Sequence, residues 1–270
     1  MFRPGGLSLG GNTRKTPERS IANRSSLLTF AFRLGGVSSG GQGVLRIESG
    51  SSVTNLDGVL GAAADSSGRA TITGLDSTWT NIGDLEVGSS GTGILTIENG
   101  ATVENTTNGY IGKNNGGSGT ATVRGSGSKW TNGGYLEVGR GVLTVENGGS
   151  VSNTNGTIGS QSRGEATITG PGSTWTNDGF LEIGSRVTGL LTVASGGSVN
   201  SKGASIAVAE YSTGRATVDG SGSSWDIEGT LTVGRFGEGT LTVANGGSVF
   251  NNDSIIGSGI DGSTTGDGDV

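Results

Sequence analysis

The sequence predicts an all-β protein, a parallel β-helix (solenoid) of about nine coils of 22–26 residues. Three observations predict it. The first is an alternation. Trp79, Trp130, Trp175 and Trp225 are the only tryptophans and lie 51, 45 and 50 residues apart. Val53, Val103, Val151, Val199 and Val249 hold the equivalent slot in the intervening half-repeats. Self-similarity at a fixed period marks a tandem array. The second is a shared template: an apolar-Thr-apolar triplet, a Gly-rich corner, Val or Trp, Asn two residues later, and an apolar-x-apolar-Gly close. The third is composition. The 270 residues include 57 Gly and 3 Pro, and only 30% are hydrophobic. A single compact core would want more Leu, Phe and Ile, whereas a quasi-one-dimensional core buries only a few side chains per unit. The evenly spaced apolar triplets also separate the chain from a disordered Gly-rich one.

Taken in order, residues 1–26 show no repeat signature and read as a mobile basic tail. The first 33 residues hold Arg3, Arg14, Lys15, Arg19, Arg24 and Arg33 against Glu18 alone. Residues 27–44 read as a degenerate coil, with Phe32-Arg33-Leu34-Gly35 resembling a closing triplet. Regular half-repeats begin at Leu45, Ala70, Leu95, Ala121, Leu143, Ala166, Leu191, Ala216 and Leu241, so the repeat domain spans 27–260. Each unit holds three short alternating segments separated by Gly, Asn and Ser, which reads as three strands and their turns. Equivalent strands then pair from coil to coil at about 4.8 Å, giving a rod of roughly 40–45 Å. Residues 261–270, a Gly, Asp and Thr string, read as an unstructured, truncated end.

The columns carry more detail. The centre of the first triplet reads Arg46, Thr71, Thr96, Thr122, Thr144, Thr167, Thr192, Thr217 and Thr242, as suits an outward strand position. Asn55, Asn81, Asn105, Asn132, Asn153, Asn177 and Asn251 form a second column. These are expected to stack as an asparagine ladder at a corner, where Asn tolerates left-handed backbone. The closing glycines Gly88, Gly112, Gly139, Gly159, Gly184, Gly234 and Gly257 are expected at positive φ, with Ala209 as the exception. Two tryptophans 4.8 Å apart would crowd one another, and an intervening valine gives each ring space. The extra residue in Ser77-Thr78-Trp79, against Ser52-Val53, is expected to be a strand bulge.

The stretches Gly127-Ser128-Lys129-Trp130-Thr131-Asn132, Gly172-Ser173-Thr174-Trp175-Thr176-Asn177 and Leu241-Thr242-Val243-Ala244-Asn245-Gly246-Gly247 pair a GSxWTN motif with an LTVxNGG motif. This pairing, over roughly 45–257, resembles the repeats of bacterial type V secretion (autotransporter) passengers and of some PEP-CTERM-bearing exported proteins. The resemblance implies a right-handed β-helix, export, and a place at the bacterial cell surface, associated with the outer membrane. It implies no catalytic residue. A translocator β-barrel, expected in a full-length autotransporter, is absent from these residues, as is a hydrophobic sorting segment.

Several chemistries are weighed against this. No Cys or His is present, so disulfides and Cys or His metal sites are excluded. Beyond residue 33 the chain carries 11 basic and 22 acidic residues, which argues against nucleic acid as a partner. No run reaches the ~20 apolar residues of a membrane-inserting span. Glu86, Glu137 and Glu182 share one column, read as Val59, Glu86, Tyr110, Glu137, Thr157, Glu182, Ala207, Thr232 and Ile255. Carboxylates two coils apart, about 9–10 Å, approach the separation of inverting glycosidases. An array produces that spacing automatically, and the bland reading is a solvated strand face. The Thr column evokes ice-binding arrays, but Glu48, Glu98, Arg124, Glu146 and Asp219 interrupt the neighbouring column. Asp261, Asp267 and Asp269 lack the nine-residue period of calcium-loading repeats. No catalytic, cofactor or metal residue is assigned, and no aromatic cluster is expected on the outward faces. The leading reading is a surface-displayed rod, a stalk or adhesin passenger that meets glycans or proteins of a host or neighbouring cell. The alternatives are part of a secreted polysaccharide-acting β-helix enzyme and an end-to-end assembling matrix protein.

Overall fold

A computed structural model describes residues 7–9, 18–22, 26–27, 32–34, 40–257 and 267–269, with side chains placed over 40–257. The described residues form β-strands and turns only. All strand pairs are parallel and stack as a β-solenoid of about nine turns. A typical coil has a long strand (Thr92–Glu98), a middle strand (Thr102–Asn105) and a closing strand (Gly109–Ile111). The long strands stack into an 11-stranded sheet from Glu18–Ala22 to Asp267–Asp269. Middle and closing strands stack likewise on their own equivalents.

Upstream of Leu45 the ladders continue. Leu7–Leu9 pairs with Phe32–Leu34, which pairs with Gly58–Leu60, and Glu18–Ala22 pairs within Gln42–Glu48. These strands run through part of the stretch that the sequence reads as a tail. At the other end Asp267–Asp269 pairs with Glu238–Thr240. Gly35, Asp261 and the rest of 258–266 lie outside the described residues.

Alternation within each strand sends one set of side chains inward. The column from Arg46 through Thr71 to Thr242 is continuous, as are the Val and Trp slots, Val53 on Trp79 through Trp225 on Val249. All four indoles are fully buried, beside Leu45, Ile47, Leu60, Leu85, Ile97 and their equivalents. The alternation has a second component. Where a tryptophan coil has Leu85, Leu136 or Leu181 in its closing strand, the adjoining valine coils have Gly58, Gly109 and Gly156. A Cβ on Gly58 would stand 2.8 Å from both the Trp79 ring and the Leu85 side chain, and 2.6 Å from Asn81 Oδ1. The large side chains of one coil thus fill the space that glycine leaves in the previous one.

Four expectations are corrected. Ser52 pairs with Thr78 and Val53 with Trp79 without a register shift, so the extra residue is not a strand bulge. It lies in the corner: Gly74-Leu75-Asp76-Ser77 in a tryptophan coil, against Ser49-Gly50-Ser51 in a valine coil. The two corners differ in backbone accordingly, with left-handed residues at Gly74 and Asp76 in one and at the adjacent Ser49 and Gly50 in the other. Second, Ser205, not Ala207, stands in the glutamate column between Glu182 and Thr232. The left-handed closing residue of that coil is therefore Ala207 (φ 58°) rather than Ala209. Third, Gly139 is not left-handed, although Gly88, Gly112, Gly159, Gly184, Gly234 and Gly257 are. Only Arg140 separates it from the next long strand, Gly141–Glu146, so this corner turns differently. Fourth, the ladder asparagines end middle strands, and the left-handed asparagines are Asn99, Asn147 and Asn245 in the preceding corners.

Candidate functional site

Inside the rod the asparagine column bonds to itself. Asn55 Nδ2 donates to Asn81 Oδ1 at 2.6 Å, Asn81 to Asn105 at 3.2 Å, and Asn105 to Asn132. Asn153 Nδ2 donates to Asn177 Oδ1 at 2.7 Å, and Asn177 Nδ2 donates to the Asn200 carbonyl at 3.3 Å. The indoles join in: Trp79 Nε1 donates to Asn55 Oδ1 at 2.6 Å, Trp175 Nε1 to Asn153 Oδ1 at 2.7 Å, and Trp225 Nε1 to Ser201 Oγ at 3.3 Å. These three buried indoles thereby reach back one coil to an acceptor, which is why Trp rather than Phe suits their slot. Asn251 stands apart from the ladder. Its column neighbour is Ile227, and it bonds the Asp253 carbonyl and Ser254 Oγ instead.

The ladder has one fault. No hydrogen bond joins Asn132 to Asn153, and both Trp130 Nε1 and Asn132 Nδ2 are buried without a partner. The fault falls at the coil junction with the short Gly139–Gly141 corner.

A serine ladder, which the sequence reading missed, runs along the first corner. The buried Ser77, Ser128, Ser173 and Ser223 accept hydrogen bonds from the backbone N–H of Gly50, Gly100, Gly148 and Gly196 at 3.0–3.1 Å. The signal was present, because a Ser stands two residues before each of the four tryptophans, at Ser77, Ser128, Ser173 and Ser223.

The outward faces are mostly short polar side chains. On the long-strand face the charges are partly paired: Arg46 with Glu48 and Arg124 with Glu98. The closing face differs, because it gathers aromatic rings and carboxylates that are scattered in sequence. Tyr110 and Tyr135 meet edge to face at 5.4 Å with their hydroxyls bonded. Lys113 Nζ lies 4.0 Å over the Tyr110 ring and bonds Glu86 Oε1 at 2.5 Å. Burial, the Tyr135 hydroxyl and the negative charge of Asp84 and Glu137 hold the Tyr110 hydroxyl well above its ordinary range. The expectation of no aromatic cluster on an outward face is thus corrected; the column places Tyr135 and Phe180 two coils apart.

Between Tyr135 and Phe180 lies a cleft of about 470 Å³, lined also by Glu137, Asn155, Gly156, Thr157 and Glu182. Its origin is a difference in corner length. Three residues connect Asn132 to Leu136 and Asn177 to Leu181, but two connect Asn153 to Gly156. The middle coil therefore recedes and presents Asn155, Gly156 and Thr157 as a floor. Both walls are fixed. Tyr135 is tied to Tyr110, its backbone N–H bonds Asn108 Oδ1 at 3.1 Å, and the Phe180 N–H bonds Asn155 Oδ1 at 2.8 Å. The Phe180 ring occupies the space in which a Cβ of Gly203 would lie. Glu137 accepts from Ser160 Oγ at 2.5 Å and Glu182 from Ser185 Oγ at 2.7 Å, which leaves each carboxylate a second oxygen.

Glu137 and Glu182 thus line one cleft, while Glu86 is engaged by Lys113 and adjoins a separate acidic hollow with Asp57 and Asp84. In that hollow Asp57 accepts from the Asp84 N–H, and Asp84 from the Asn108 N–H. No group of three or more acidic residues among the described residues is arranged to hold a metal ion. No helix among them is long and apolar enough to cross a membrane. No known protein family, curated protein or solved structure matches the chain at a significant level.

Proposed function

We propose that this chain is the rod of an exported bacterial surface protein, a non-catalytic stalk or adhesin segment that displays one binding face along its length. The observation that carries the reading is the unbroken coil-on-coil pairing from Gln42 to Ile256. Every corner in this span is short, so no inserted loop walls off an active-site chamber. The motif resemblance to autotransporter and PEP-CTERM-associated repeats supports export to the cell surface. In such a protein a translocator barrel elsewhere in the polypeptide would carry the rod outward. The partners would be glycans or proteins of a neighbouring or host cell, met through several weak contacts on one rigid scaffold.

One observation favours a second reading. Glu137 and Glu182 share a cleft and lie two coils apart, about 9–10 Å at the spacing of stacked strands. Two carboxylates near that separation are what an inverting glycosidase uses. A single experiment separates the readings. Display residues 1–270 on a cell through an unrelated translocator, then measure adhesion to neighbouring cells and the release of reducing ends from their isolated glycans. Adhesion without release supports the rod. Release that is lost in Glu137→Gln and Glu182→Gln supports the enzyme.

A further inference from the structure

We propose that the notch between Tyr135 and Phe180 binds one hexose unit of a neutral polysaccharide, an assignment that rests on the rod being a non-catalytic binding scaffold. A pyranose ring has an apolar face of C–H groups and a rim of hydroxyls. The notch offers the complement of both. Its walls are rings, Phe180 being 59% and Tyr135 37% exposed, an arrangement that water solvates poorly. Its rim carries Glu137 and Glu182, each with an oxygen free to accept from a hydroxyl, and its lining includes Asn155 and Thr157 as donors and acceptors. A site with apolar walls and a few placed polar groups is how small rings are bound.

Charge selects among the possible occupants. The two carboxylates in the notch have no cation among its lining residues, and the whole chain has a formal net charge of −6. Uronic acids, sulfated glycans and nucleic acids would be repelled. The walls are preorganised: the bonded Tyr110–Tyr135 pair and the Phe180 ring over Gly203 are held before any ligand arrives, so little ordering opposes binding. The recession of one coil between two longer ones also limits the notch to a single ring, with the flanking sugars running along the rod over the adjoining coils.

The test is affinity electrophoresis of the full chain through gels containing a β-1,3-glucan, a β-1,4-glucan, a mannan or, as the anionic control, a polyuronate. Binding constants for soluble oligomers of any retarding glycan would then be read by calorimetry at low and high salt. At least one neutral glycan should retard the chain, with an affinity that salt barely alters. Phe180→Ala and Tyr135→Ala should each weaken it tenfold or more, whereas Phe180→Trp should retain it. Phe180 is largely exposed, so its variants should keep the circular dichroism of the parent. The proposal is overturned if no neutral glycan retards the chain, if the Tyr135→Ala/Phe180→Ala double variant binds like the parent, or if only a cationic peptide such as polylysine binds, with affinity falling steeply in salt. Loss of the notch on these grounds leaves the rod reading standing, because cell adhesion is measured separately. Release of reducing ends from a bound glycan would refute the non-catalytic reading while keeping the notch.

Discussion

Trp130 and Trp175 occupy the same slot of the same ladder, yet only one has a hydrogen-bond partner. That makes a matched pair of substitutions informative. Trp→Phe removes a similar volume at both sites, so the cavity contributions nearly cancel. Their polar consequences are opposite. Trp175→Phe deletes the 2.7 Å bond to Asn153 Oδ1 and strands that buried acceptor, at a cost of about 1–3 kcal/mol. Trp130→Phe deletes an N–H that is already buried and unpartnered, which removes a penalty of about 1–3 kcal/mol. Trp130→Phe should therefore be the less destabilising of the two by about 2–6 kcal/mol. Urea unfolding followed by far-UV circular dichroism would read this as a difference in midpoint, provided the slopes agree. The indole N–H resonances of the parent give an independent check, since Trp130 should lack the downfield shift of a bonded indole. Equal midpoints for the two variants would refute the argument. They would mean that the Asn105 amide turns in solution to accept from Trp130, and that the fault is confined to Asn132.

Further outcomes follow from the same geometry. Gly58→Ala places a methyl 2.6–2.8 Å from Asn81, Leu85 and Trp79, and should cost about 1–3 kcal/mol by overpacking, seen as a lowered Tm. Ser173→Ala removes the acceptor of the Gly148 N–H and the donor to the Thr169 carbonyl; a loss of about 1–3 kcal/mol is expected in urea, and none would show that the corner is hydrated. Tyr110 ionises with more difficulty in the fold than in the unfolded chain, because burial, the Tyr135 hydroxyl and nearby acids disfavour the phenolate. Its contribution to stability is complete below the ordinary tyrosine pKa of about 10 and is lost as pH rises above it. Stability should therefore fall in alkali, and Tyr110→Phe should flatten that fall; an unchanged slope would remove Tyr110 as its source.

Much of the fold was legible because the coil-to-coil register is a sequence period. Once Thr71, Thr96 and Thr122 are aligned, the partners of every long strand follow. Reading failed where a coil departs from the template. The slip from Ser205 to Ala207 came from counting to an apolar-x-apolar triplet in a coil that instead runs Gly203–Ile206. The supposed bulge at Trp79 came from aligning Ser77 with Ser52, when burial aligns Ser77 with Ser51. The notch was invisible for a different reason. Tyr135, Asn155 and Phe180 belong to three successive coils and share no motif, and their juxtaposition depends on one corner being a residue shorter than its neighbours. Periodicity reports what the coils have in common, whereas this site is made from how they differ.

The Gly–Leu and Val–Trp complementarity has a genetic consequence. Trp79 and Trp175 use the glycine and the asparagine acceptor of the coil before them, and Trp225 the small Ala204 and a serine acceptor, so the heritable unit of this rod is a pair of coils. A recombination event that inserts or deletes a pair lengthens or shortens the rod without disturbing any contact. One that inserts or deletes a single coil sets ring against ring or leaves two glycine slots empty in succession. The packing therefore acts as a parity check on the gene, and rods descended from this one should differ in length by even numbers of coils.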